Sequence, residues 1–137
     1  MGKELLNTFD KELLLKDLCA RLPYGVKCEN YNHIDGRNVF KVTDIRDNGY
    51  ICGTVNNHYC WAVFDPLELK RYLFPLSSMT EEQKMFLKQQ NWCIAISTGG
   101  TVETTIEGID WLNKNHFDYR RLIPMGLAID ATGLNIY

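Results

Sequence analysis

Three turn dipeptides, Asp35-Gly36, Asn48-Gly49 and Asn56-Asn57, constrain this chain more than any other feature. A two-residue hairpin of type I′ needs positive φ at both central positions, which Asn, Asp and Gly tolerate. The runs between them, residues 26–29, 39–45, 50–55 and 58–64, are short and rich in β-branched and aromatic residues. Short strands joined by tight turns make an antiparallel meander. A strongly twisted sheet of this kind tends to curl. The expected centre is therefore a curled antiparallel sheet of four or five strands, an SH3-like small barrel. Asp65-Pro66 breaks the fourth strand, and Tyr72-Leu73-Phe74 supplies a fifth that ends at Pro75.

Helices flank this block. Leu14, Leu15, Leu18, Cys19 and Leu22 recur at helical spacing and predict an apolar stripe on a helix over 8–22. Lys11, Glu12, Lys16, Asp17 and Arg21 fall on the other side. Pro23 stops the helix and Tyr24-Gly25 turns the chain. Thr80 with Gln83 reads as a capping box that opens a helix to about residue 90, with Met85, Phe86 and Leu87 toward the core. Residues 92–96 read as a strand and 97–101 as a surface loop. That loop's Gly pair lacks the Lys and spacing of a phosphate loop. Thr104 or Thr105 caps a further helix carrying Ile109, Leu112, His116 and Phe117 on one face. Asp118 caps a turn over 119–123, and 127–129 is a last short strand. The domain reading is one α+β domain over 1–137: a helix at 8–22, a β meander at 26–76 and a helical part at 80–137.

Composition narrows the function classes. The chain has 137 residues, with 15 Lys+Arg against 17 Asp+Glu and a net charge of -2. That balance disfavours a nucleic-acid binder, whose affinity rests on a basic patch. No apolar run reaches the roughly 20 residues of a membrane span. The start of the sequence has no apolar core of a secretory signal, so a cytoplasmic setting is expected. The five cysteines, Cys19, Cys28, Cys52, Cys60 and Cys93, include no CxxC pair. They read as buried, reduced thiols.

Three segments carry a resemblance: LLLKDLCARLPYGVKC (13–28), LFPLSSMTEEQK (73–84) and DWLNKNHFDYRRLIPMGLAIDATG (110–133). They resemble an uncharacterised family of small proteins from phages, prophages and mobile elements of gut bacteria. The resemblance implies an accessory protein acting in the bacterial cytoplasm. It carries over no catalytic residue. Where that family usually has Gly after Asp-Tyr-Arg, this chain has Arg121.

Candidate chemistry divides into three readings. The first is a non-enzymatic binding module for a protein partner or for a second copy of the chain. Three tryptophans and seven tyrosines exceed what a small core needs, so some rings should mark an interaction surface. Tyr59 and Trp61 on the most aromatic strand, with Tyr119, Arg120 and Arg121, are the candidate binding residues. Two guanidinium groups can grip a phosphate or carboxylate, and Tyr119 offers a ring beside them. The second reading makes the same residues a pocket that sequesters a nucleotide signal. The third is a small hydrolase or nuclease using His58 or His116. His58 and Cys60 share a strand face, but cross-strand packing outweighs a metal or Cys–His site. No cofactor is implied.

Overall fold

The structure, a computed structural model, describes residues 2–30, 38–46, 50–55, 58–63, 69–98 and 101–137. Its side chains are described from residue 10 on, apart from those at 30, 38, 50 and 58–63. The described residues make a mixed α+β protein with three α-helices. The chain divides into two compact units, Met1–Tyr72 with Ile136–Tyr137, and Leu73–Asn135.

The first unit holds helix α1 (Gly2–Arg21) and strands β1 (Lys27–Asn30), β2 (Asn38–Ile45), β3 (Tyr50–Val55) and β4 (His58–Val63). It also holds the start of β5 (Arg71–Pro75). These strands pair antiparallel in the order β4-β3-β2-β1-β5; the turn dipeptides predicted the sequential pairings of β1 to β4, and the place of β5 beside β1 comes from the structure. The turn residues at 35–36, 48–49 and 56–57, and Asp65-Pro66, lie outside the described residues. Pro23 falls in a 3-10 turn, Leu22–Tyr24, and Gly25 at φ 68 takes the left-handed conformation that releases the chain into β1. Val26, Cys28, Phe40, Val42, Ile51 and Leu69 close the core with Leu18 of α1. The β2–β3 register slips between Val42 and Asp44, and Gly53 stands opposite Val42 beside the slip.

Helix α1 departs from its expected faces. Leu15 is 42% exposed and Cys19 is exposed, whereas Asp17 and Arg21 are fully buried. The cause is a partner 54 residues from Asp17: Arg71 of β5 enters the interior beneath α1 and draws the helix's charges inward. The expectation of five buried thiols is also corrected for the four whose side chains are described. Cys28 and Cys52 are buried, but Cys19 and Cys93 are exposed.

The second unit takes the end of β5, a 3-10 turn (Leu76–Ser78), α2 (Glu81–Gln89), β6 (Ala95–Ile96), β7 (Val102–Glu103), α3 (Ile106–Lys114), β8 (Phe117–Asp118) and β9 (Ala128–Asp130). Thr80 and Gln83 exchange the two hydrogen bonds of the capping box. Thr105 caps α3 through the N–H of Gly108. Of the α2 residues expected in the core, Leu87 is buried, while Met85 is 62% and Phe86 40% exposed. The Phe86 ring stacks on Trp111, which stacks on Phe117, so a row of rings joins α2 to the core. The α3 helix stops at Lys114, short of the expected face through Phe117. His116 takes φ 62, and Phe117–Asp118 pairs parallel with Phe74 and Pro75. Only β6, of two residues, remains of the strand expected over 92–96, and it forms a hairpin with β7.

Candidate functional site

A cleft of about 440 Å³ opens in the second unit where β5 ends, between the β6–β7 hairpin and the turn after β8. Leu76, Ile96, Val102 and Ile123 give it an apolar lining. Ser97, Asp118 and Arg121 are among its polar lining. Each wall has a local cause. The Ser97 amide donates to the carbonyl of Thr101, and the Thr101 amide donates back to Ser97 Oγ, which closes the hairpin end. Across the cleft, Asp118 Oδ1 accepts the Leu122 amide and Oδ2 the Ile123 amide, both at 2.9 Å. Asp118 thus folds the next five residues into a tight turn, as its expected capping role implies. Within that turn Arg121 is held at φ 61, a left-handed conformation unfavourable for a residue with a Cβ.

A second cleft of about 380 Å³ adjoins the first, and the two share Leu76 and Ile96. Met79, Leu87 and Ile94 extend the apolar lining, with Lys84 and Lys88 at the rim. The dividing residue, Ile96, is 60% exposed. Lys84 reaches Glu81 at 3.2 Å, but both side chains are largely in water and the pair is weak. Both Asp118 oxygens accept from backbone, so this carboxylate serves the turn, and it lines the first cleft beside Arg121. Both volumes are in the range of ligand-binding clefts.

The candidate binding residues that the sequence grouped fall in both units. Tyr119 packs into the second unit's core with Leu112 and Phe117. Arg120 lies over its ring at 5.0 Å and donates from Nη2 to its hydroxyl at 3.2 Å. Arg121 alone of the three reaches the cleft. Tyr59 and Trp61 lie on β4 of the first unit, paired with Thr54 and Cys52, and their side chains lie outside the described residues. So do those of His58 and Cys60. Sequence reasoning missed Ile96, Ser97, Lys84 and Lys88. The only sign of them was the run of small residues after Ile96, which reads equally as a plain loop.

The first unit has a polar concentration of its own, and it is buried. Arg21 Nε lies 3.0 Å from both Asp17 oxygens. Arg71 Nη1 donates to Asp17 Oδ2 at 2.8 Å and to the Leu14 carbonyl at 2.9 Å. Burial pushes the Asp17 carboxyl up, but the two guanidinium groups more than reverse this and hold it below the usual carboxylate value. Burial pushes the nearby Cys28 thiol up to about 12, against the pull of Arg71. The Tyr137 hydroxyl accepts from the Lys27 amide and donates to the Tyr72 carbonyl, each at 2.9 Å, and burial raises it too. Among the described residues no group of His, Cys, Asp and Glu is placed to hold a metal ion, and no helix is long and apolar enough to cross a membrane.

In comparison with known proteins, the chain matches no family model, no curated protein and no solved structure.

Proposed function

We propose that the protein is a non-enzymatic binding module whose second unit holds an apolar, acidic segment of a protein partner. One observation carries this reading: two apolar clefts run together at an Ile96 that is 60% exposed, with Arg121, Lys84 and Lys88 around them. Contiguous exposed apolar surface rimmed by polar residues marks interaction sites. Two clefts that share Leu76 and Ile96 suit a chain segment that spans both, and the cations select carboxylates. Arg121 is the anchor in this reading, because strained backbone concentrates where function requires it. The nucleotide reading finds less support, since among the described residues no aromatic ring lines either cleft to stack a base.

The resemblance of residues 13–28, 73–84 and 110–133 supports a phage or mobile-element accessory protein acting in the bacterial cytoplasm. We take the meander of the first unit as a curled, SH3-like scaffold. The register slip between Val42 and Asp44 supports this, because such irregularities increase local twist.

Selection of random displayed peptides on the full chain tests the function. Winners should combine Asp or Glu with Leu, Ile, Phe or Met, and Ile96→Asp should lose them. Peptides without acidic bias, or equal recovery by the variant, contradict the reading. A dimer by light scattering that Ile96→Asp dissociates would give the groove to a second copy instead, against the proposal.

A further inference from the structure

Arg71 is fully buried, and only part of its guanidinium is used. Nη1 carries both of its hydrogen bonds, to Asp17 and to Leu14, while Nε and Nη2 are buried and have no hydrogen-bond partner. Nε and Nη2 form one edge of the planar group, with two parallel N–H donors. That edge matches a carboxylate, which accepts two such bonds side by side. Buried donors without partners are rare and costly, and one accepted cause is a bound ion. The Asp17 carboxylate does not serve this edge, because it is already shared by Arg21 Nε and Arg71 Nη1.

The surroundings supply a closure. Cys28 is paired with Arg71 across β1 and β5. At the adjoining position, Lys27 and Tyr72, the strands take a third partner. The Tyr137 hydroxyl stands between them, joining the Lys27 amide to the Tyr72 carbonyl. Lys27 Nζ holds the Ile136 carbonyl at 2.8 Å and lies 5.5 Å from the centre of the Tyr137 ring. The 136–137 segment is thus pinned at the Cys28–Arg71 pair, within electrostatic reach of both guanidinium groups.

We propose that the Nε/Nη2 edge of Arg71 is an internal site for a small planar oxyanion, a carboxylate of formate or acetate size, with the 136–137 segment closing it. The site is separate from the groove of the second unit and does not depend on its function. The Arg71 edge gives the ligand its two hydrogen bonds. The phenol of Tyr137, neutral and bonded to both strands, sets how fast the ligand comes and goes.

Thermal unfolding of the full chain tests this, in formate, acetate, chloride or phosphate at one ionic strength. A ligand that binds only the folded state raises the midpoint by mass action. The site predicts a rise of about 3 °C or more in formate and acetate over chloride, saturating with concentration, and its loss in Arg71→Lys, which keeps the charge but not the edge. A short peptide with a free terminal carboxylate distinguishes a free anion from a chain carboxylate: the buried edge predicts no rise with the peptide. Carbon NMR of labelled formate keeps the test decisive if Arg71→Lys does not fold. Wild type should broaden the signal, and Tyr137→Phe should speed the exchange several-fold. Equal midpoints in all salts together with an unperturbed formate signal overturn the proposal and leave the edge to buried water.

Discussion

Arg71 Nη1 lies 2.8 Å from Asp17 Oδ2, and both side chains are wholly buried. This pair ties α1 to the strand that leads out of the first unit, and Arg21, one turn along α1, shares the same carboxylate. Removing one partner of a buried ion pair leaves the other charged and desolvated, which costs about 3–5 kcal/mol. Asp17→Asn should lower stability by that amount in urea unfolding. A change below ~1 kcal/mol would show that the buried charges are hydrated.

The same carboxylate makes the fold sensitive to acid. Its folded value lies below the ordinary 3.8 of an aspartate carboxyl. A depressed carboxylate contributes stability above its unfolded value and loses it as pH falls toward the folded one. Unfolding free energy should therefore drop below about pH 4 in the wild type. Asp17→Asn should flatten part of that slope.

At alkaline pH the sign reverses through Cys28. Its thiol is pushed up from 9.0 to about 12, so the fold favours the neutral form. Its stabilising effect is complete below pH ~9 and is lost as pH rises toward 12. Thiol labelling with mass mapping at neutral pH checks the burial behind this. Cys19 and Cys93 should label in the folded protein, and Cys28 and Cys52 only on unfolding.

Gly53 has a separate constraint. A Cβ there would collide with the Lys41 carbonyl and the Phe40 ring, beside the β2–β3 register slip. A backbone atom cannot rotate away as a side chain can. Gly53→Ala should cost about 3 kcal/mol in denaturant unfolding, the upper end for overpacking. A neutral result would mean that the β2–β3 register differs from the one described.

Much of this fold is legible in local chemistry, and the exceptions share a cause. Turn dipeptides and alternation place β1 to β4, and Thr80 with Gln83 places α2, because each signal acts within a few residues. Asp17 and Arg21 look solvated on a helical wheel, and only Arg71, far along the chain, brings them inside. Phe117–Asp118 has no strand signal of its own, since two residues cannot show a period, and Phe74 and Pro75 define it. The site suffers most. Arg121 was legible as a cation in a dense polar stretch. Its companions Ile96 and Ser97 come from a hairpin about 24 residues earlier, which local pattern reads as a loop.

Arg121 should separate stability from binding. Its left-handed backbone costs about 1 kcal/mol relative to glycine, partly offset by the greater freedom of glycine in the unfolded chain. Arg121→Gly should leave the thermal midpoint unchanged or slightly higher while removing the charge from the cleft. A clear fall in the midpoint would make Arg121 a structural residue.

The most direct measurement is amide NMR of the labelled full chain, titrated with the peptide recovered by selection, for wild type and Arg121→Gly. The account predicts shifts at Ile96, Ser97, Val102, Arg121 and Ile123 in the wild type, and affinity at least tenfold weaker in the variant. Shifts confined to β2, β3 and β4, or equal affinity for both proteins, would contradict it.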